Sequence, residues 1–359
     1  MLKIIHGADF HLDSPFAGLS PERAAQRRGE QRDLLMRLAA LAQMRQADLV
    51  LLSGDLLDSE RVYRETAKAL SRALEEAGCP VVIAPGNHDF YSPRSVYATL
   101  DWPENVHIFT EERMQAVELP GCVVHGAAFL SPRSERSPLA GFCAPRDGRI
   151  HIGVLHGELE GGGSYAPLTR EDIARSGLSY LALGHVHQYG GLGREGDTFW
   201  AYPGCPEGRG FDEPGEKGVL YLELGEKTCT AEFAPLCARR YEIAEADLTG
   251  REDPVQAVLG ALAGVTEEDI CRVVLTGETE PPDLAALERA LAPRFYGLSL
   301  RDRTRPPRRL WERMEEDTLT GLFLREMDRL RRERPEDESL MLAVRFGLAA
   351  LEGGEDAAP

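Results

Sequence analysis

Five short apolar runs, all before residue 190, each stop at side chains that can hold a metal ion or handle a proton. LKIIHGA leads into Asp9, Phe10 and His11, and ADLVLLS into Gly54, Asp55, Leu56, Leu57 and Asp58. PVVIAP leads into Gly86, Asn87, His88 and Asp89; IHIGVL into His156 and Gly157; LSYLAL into Gly184, His185, Val186 and His187. Apolar runs without alternation belong to strands covered on both faces. Ligands of open α/β sheets gather beyond the carboxyl ends of such strands, so the five runs predict one site. A lone histidine at a strand end is ordinarily a satisfied polar residue, and a lone GD or GH pair means little. Here five of the nine histidines fall inside the strand-end motifs, and chance is a poor account of that.

The residue types define the chemistry. Carboxylate, amide oxygen and imidazole suit divalent manganese, iron or zinc, and the lack of thiolates disfavours copper(I) and iron–sulfur clusters. Side chains two apart on an extended segment point the same way, so Asp9 can converge with His11, and His185 with His187. A carboxylate can bridge two cations, and Asp55 sits centrally in the order. Glycines beside these residues allow close approach of backbone and substrate.

The same runs alternate with helical stretches up to about residue 236, which predicts an α/β sandwich with mixed sheets. Ser20 and Pro21 open a long helix with Leu34, Leu35, Leu38 and Leu41 on one face, and a second runs from about Val62 to Ala77 before Gly78. Residues 237–305 read as strand–helix–strand–helix–strand, a small α/β cap-like domain. Residues 306–352 read as helical, and 353–359 as a disordered tail.

A chain of 359 residues suits one large domain and a smaller one. No apolar run is long enough to span a membrane, and the start lacks the pattern of a signal peptide. Seven scattered cysteines form no CxxC pair, so neither a disulfide framework nor a structural zinc site is expected, and a cytoplasmic location is. The net charge of −18 argues against binding nucleic acid through the whole surface; any such contact must be local or assisted by a partner.

The motif series D-x-H, GDxxD, GNHD, a strand-end His-Gly and GHxH resembles the calcineurin-like metallophosphoesterase superfamily, in order and without gaps. A narrower resemblance is to bacterial DNA repair exonucleases of the SbcD and YhaO type. It rests on the arginine-bearing first helix, ADLVLLSGDLLD, PVVIAPGNHDFY, YPGCPEGRGFDEPGEKG, the small following domain and DTLTGLFLREM. Many archaeal and eukaryotic relatives carry histidine at the position of Asp58, and SbcD relatives commonly have serine at that of Cys205.

The resemblance implies a four-layer α/β/β/α sandwich and two divalent cations, manganese by preference. One would be held by Asp9, His11 and His187, the other by Asn87, His156 and His185, with Asp55 bridging and His88 facing the phosphate. It implies in-line attack on a phosphodiester, helped by two cations about 3.5 to 4 Å apart. The expected function is that of a DNA exonuclease or endonuclease acting in repair, with DNA and a coiled-coil SbcC-like ATPase as partners; a homodimer is left open. Two rivals are a phosphodiesterase or phosphatase for small nucleotides and a regulatory adaptor of a coiled-coil ATPase with a mainly structural metal site.

Asp58 reads either as a helix N-cap or, by the resemblance, as the group that orients a catalytic His88. Asp89 reads as loop support, and His6, His107, His125 and His151 as structural. Arginines 301, 303, 305, 308, 309 and 313 read as a solvated face, a phosphate contact or a docking site for a partner. Leu340, Val344, Leu348 and Leu351 recur at helical spacing and read as packing on the protein's own domain or as a groove-filling face.

Overall fold

Alternate residues of the apolar runs face opposite ways, and that alternation builds the layers. In the computed structural model, which describes residues 1–334, 337 and 339–351, the chain divides into two compact units after Arg240. In the first unit β1 (Leu2–Gly7), β2 (Leu49–Leu52), β3 (Val81–Ile83) and β4 (Val106–Ile108) run parallel. The second sheet uses β5 (Gln115–Leu119), β6 (Cys122–Gly126), β7 (Ile150–His156), β8 (Tyr180–Gly184), β9 (Gly193–Glu195) and β10 (Thr198–Ala201), in the order β5-β6-β7-β8-β10-β9. Its central strands are parallel and its two edge strands antiparallel. The chain then returns to the first sheet as β11 (Gly218–Leu224) and β12 (Cys229–Pro235), giving β12-β11-β1-β2-β3-β4.

Ile4, Leu49, Leu51 and Val82 from one sheet pack on Val124, Ile152, Val154 and Ala182 from the other. Their chain neighbours Ile5, Val50, Leu52, Val81 and Ile83 face outward, against Leu34, Leu35, Leu38 and Leu41 of α1 (Pro21–Arg45) and Leu70 and Leu74 of α2 (Arg64–Glu76). On the far side Leu155, Leu181 and Leu183 pack on Ile173 of α4 (Arg170–Arg175), the short α3 (Val96–Thr99) lying earlier in the chain. The architecture is therefore helix, sheet, sheet, helix.

Ser20 accepts from the Arg23 amide and Pro21 opens α1, as the sequence predicts. Within α1 the fully buried Arg27 lies 2.6 Å from Glu207, and Glu30 meets Arg239 at 2.7 Å. These pairs tie the helix to the segments on either side of β11 and β12. A buried arginine left without its carboxylate would be strongly destabilising, by about 3 to 5 kcal/mol.

The second unit opens with three parallel strands in the order β13-β14-β15: β13 (Tyr241–Asp247), β14 (Ile270–Thr276) and β15 (Gly297–Asp302). They are joined by α5 (Pro254–Ala261) and α6 (Leu284–Leu291), capped by Asp253 and Asp283. Val273, Leu275, Val258, Leu287 and Leu291 form its core. In α7 (Arg308–Glu312), α8 (Leu319–Glu333) and α9 (Ser339–Leu351), Leu310, Leu324, Met327, Leu340 and Val344 form a separate cluster. The apolar stripe of α9 is thus spent on α8 at Leu340, Val344 and Leu348, whereas Leu342 and Phe346 stay exposed. The tail at 353–359 and the side chains of Arg308 and Arg309 lie outside the described residues.

Candidate metal centre

All five strand-end motifs meet where the carboxyl ends of β1, β2, β3, β7 and β8 come together. Asp9, His11, Asp55 and His156 are buried, Asn87 and His187 half-buried, and His88 exposed. Nε2 of His11 and Nε2 of His187 lie 3.2 Å apart, with Asp9 Oδ1 3.8 Å from the latter. Nε2 of His156 lies 2.9 Å from Asn87 Oδ1 and 3.4 Å from Asp55 Oδ2. The same Asp55 oxygen is 3.8 Å from His11 Nε2, so one carboxylate reaches both groups. Ligand atoms of Asp9, His11 and His187, and of Asp9, Asp55 and His156, fall within 4.8 Å of one another. His185 takes part through its ring, 5.2 Å from that of His156 and 4.9 Å from that of Tyr165, and through its backbone N–H, which donates to both oxygens of Asp9.

The backbone corrects one expectation. Asp9, His11, Asp55 and His185 have φ of 55°, 44°, 50° and 110°, so these residues are not extended. Asp9 and His11 do converge, but through left-handed turns, and His185 and His187 diverge, one toward His156 and the other toward His11. Left-handed backbone costs a non-glycine residue about 1 to 3 kcal/mol, and collecting four such residues here fixes ligand directions that a strand could not supply.

Anchors outside the cluster hold this strain. Asp89, buried, accepts from the amides of Asp55, Leu56, Leu57 and Gly86 and from the Tyr97 hydroxyl, which makes it the loop support that the sequence suggests. Gly86 is required by close approach, since a Cβ there would lie 2.2 Å from Asp55 Oδ1. The carboxylate of Asp58 faces His11 Nδ1 at 3.2 Å, without the alignment of a hydrogen bond, and accepts from Ser14. It is the Asp58 carbonyl, not the carboxylate, that lies 3.1 Å from His88 Nδ1. His6 is buried between Tyr180 and Ser53, and His125 pairs with His151, which faces Asp147.

The donor set fits divalent cations. His156 Nδ1 faces the Ser53 carbonyl at 2.9 Å, so that nitrogen carries the proton and Nε2 presents a lone pair. His187 Nδ1 lies 2.6 Å from Glu213, which leaves its Nε2 in the same state. The Nε2 lone pair of His156 therefore faces the oxygens of Asn87 and Asp55, an arrangement that repels itself until positive charge lies between. His11, His156 and His185 do not supply that charge, because burial pushes all three down to about 4. Burial and the neighbouring Asp55 also hold the Asp9 carboxyl well above its ordinary range. Bound cations would supply Lewis acidity, acidifying water and neutralising phosphate charge.

Residues 2–189, just over half of the chain, match the calcineurin-like phosphoesterase family model. The chain belongs to that family. Its relatives include bacterial and archaeal proteins. It is 33% identical to the uncharacterized metallophosphoesterase YhaO of Bacillus subtilis, over 69% of this chain and 64% of that one. It is 29% identical to the DNA double-strand break repair protein Mre11 of Aeropyrum pernix, over 62% and 58% of the two chains. It is 24% identical to the D component of the SbcCD nuclease of Staphylococcus epidermidis, over 71% and 74%. The chain thus spans somewhat less than two thirds of the first two relatives. No described helix is long and apolar enough to cross a membrane.

Sequence motifs did not single out Glu213 and Arg209. Glu213 stands 26 positions from the His187 ring that it holds, and Arg209 reaches Asp58, Glu213 and His187 from the same loop. Both lie in the YPGCPEGRGFDEPGEKG block, where no local spacing marks a ligand-holding role.

Proposed function

We propose that this chain hydrolyses phosphodiester bonds of DNA with two divalent cations, manganese by preference. Asp9, His11 and His187 would hold one, Asn87, His156 and His185 the other, and Asp55 would bridge them. The observation that carries the reading is Asp55 Oδ2, placed 3.8 Å from His11 Nε2 and 3.4 Å from His156 Nε2. Exposed His88 stands at the mouth of the cluster, its ring 4.8 Å from that of His11, where it would meet the phosphate and donate a proton to the leaving oxygen. Support for DNA as substrate comes from the relatives named as a nuclease component and a double-strand break repair protein. Repair work in the cytoplasm beside a coiled-coil ATPase belongs to the same proposal.

The test is the purified chain with Mn²⁺ on linear DNA and on a small chromogenic phosphodiester. Both should be cleaved, and Asp55→Asn should lose at least one bound ion and several kcal/mol of transition-state stabilisation, about a thousandfold in rate or more. Cleavage of small diesters alone would leave the phosphoesterase chemistry standing and remove DNA as substrate. That outcome would match the −18 charge. Full activity in Asp55→Asn would overturn the metal centre itself.

A further inference from the structure

The two halves of the cluster are backed differently. Behind His156 stands a neutral group, the Ser53 carbonyl. Behind His187 stands the buried carboxylate of Glu213, 2.6 Å from Nδ1, and behind His11 the carboxylate of Asp58, 3.2 Å from Nδ1. Arg209 joins those two carboxylates, 2.8 Å from Glu213 and 3.4 Å from Asp58. The Arg209 guanidinium is also 3.0 Å from His187 Nδ1, which cannot both donate to Glu213 and accept from arginine. The shorter, charge-assisted contact decides: Nδ1 donates to Glu213, and Arg209 donates to the same carboxylate. With His187, the Arg209 guanidinium and the Arg209 backbone N–H all donating to it, Glu213 acts as a carboxylate acceptor.

We infer that Glu213, Arg209 and Asp58 are positioning residues that make the two cation positions unequal, favouring the ion at Asp9, His11 and His187. A carboxylate behind a ligating imidazole fixes its tautomer and raises its basicity, and losing one typically costs 10- to 100-fold in metal affinity. Glu213 does this for His187 through a hydrogen bond, Asp58 places its negative charge 3.2 Å behind His11 without one, and Arg209 joins the two carboxylates from a loop far along the chain. At the position of Asn87, His156 and His185 the His156 ring is held by a carbonyl, with the Tyr165 and Phe129 rings alongside, and the carboxylates Asp89 and Glu158 act there through space. Binding is then stepwise, first at Asp9, His11 and His187, and the inference rests on the two-cation reading proposed above.

The experiment titrates Mn²⁺ into the metal-free full chain by calorimetry and electron paramagnetic resonance. The wild type should show two unequal binding events. Glu213→Gln keeps the shape and an acceptor oxygen but removes the charge; it should weaken the tighter event by about 10- to 100-fold and leave the weaker one in place. Asp58→Asn should act on the same event. Turnover of Glu213→Gln should recover at high Mn²⁺, the half-saturating metal concentration rising while the saturated rate changes little. If both events weaken equally, or neither does while the melting temperature falls, Glu213 merely supports the fold and the inference is overturned with two-cation binding intact. If the wild type binds no Mn²⁺, the two-cation reading falls and takes this inference with it.

Discussion

His88 and Asn87 are neighbours in the chain yet meet different surroundings. Asn87 Oδ1 turns inward to His156, whereas the His88 ring is exposed beside His11 and Asp58 and its backbone N–H donates to Asp55 Oδ1 at 2.9 Å. His88→Ala should therefore keep the full complement of bound metal and lose about 10²- to 10⁴-fold in turnover, the usual worth of a positioned acid or base. Metal analysis beside single-turnover rates checks this; a lost ion would make His88 a ligand. At this scale the sequence is readable because Asp, Asn and His cluster at run ends, and every residue so marked lies in or around the cluster. It is unreadable where geometry overrides type. Nothing about Asp9 or His11 announces left-handed backbone, and Glu213 joins the site only through the fold.

Strand order explains why elements separated by many residues share a site. The carboxyl ends of β2 and β8 come close enough that Gly184 has no room for a Cβ, which would lie 1.9 Å from the Ser53 carbonyl oxygen. Gly184→Ala must push the two sheets apart, at a cost of typically 1 to 3 kcal/mol. It should lower the urea midpoint and metal affinity together. The sequence made the strands and the first two helices plain through continuous apolar runs and a capped start. It could not assign each strand to a sheet, since runs buried on both faces look alike wherever they pair. The return of β11 beside β1 is a tertiary fact of this kind. Buried imidazoles on β1 and β6 add a pH dependence. Burial pushes His6 down to about 3, and burial with His151 and Arg149 pushes His125 to about 4. The unfolded chain therefore binds protons that the folded chain refuses once the pH drops below about 6.5, and stability falls from there toward pH 4. In a His6→Gln variant the loss between pH 6.5 and 4.5 should be smaller by about 2 to 3 kcal/mol, at about 1.4 per pH unit. Urea titrations at the two pH values measure it; an unchanged slope would show His6 already charged or exposed.

A molecule of net charge −18 must confine any affinity for a polyanion to a small area. Arg301, Arg303 and Arg305 are exposed and alternate along the edge strand β15 and its continuation, where the backbone amides of Arg303 and Arg305 still donate to the carbonyls of Leu275 and Gly277. Residues two apart on such a segment share a face, so three guanidinium groups fall in a row on the second unit. If they contact phosphates, Arg301→Ala, Arg303→Ala and Arg305→Ala together should weaken DNA binding. The log–log salt dependence should become shallower by about 0.9 for each duplex phosphate no longer neutralised. Cleavage of a small chromogenic phosphodiester should be unchanged, because the metal cluster is built wholly from the first unit. DNA affinity and salt slope that stay constant while binding to a coiled-coil ATPase disappears would make the row a protein docking surface. Constancy of all three would make it a solvated face, and DNA would have to be held by residues nearer the metal cluster or by a partner.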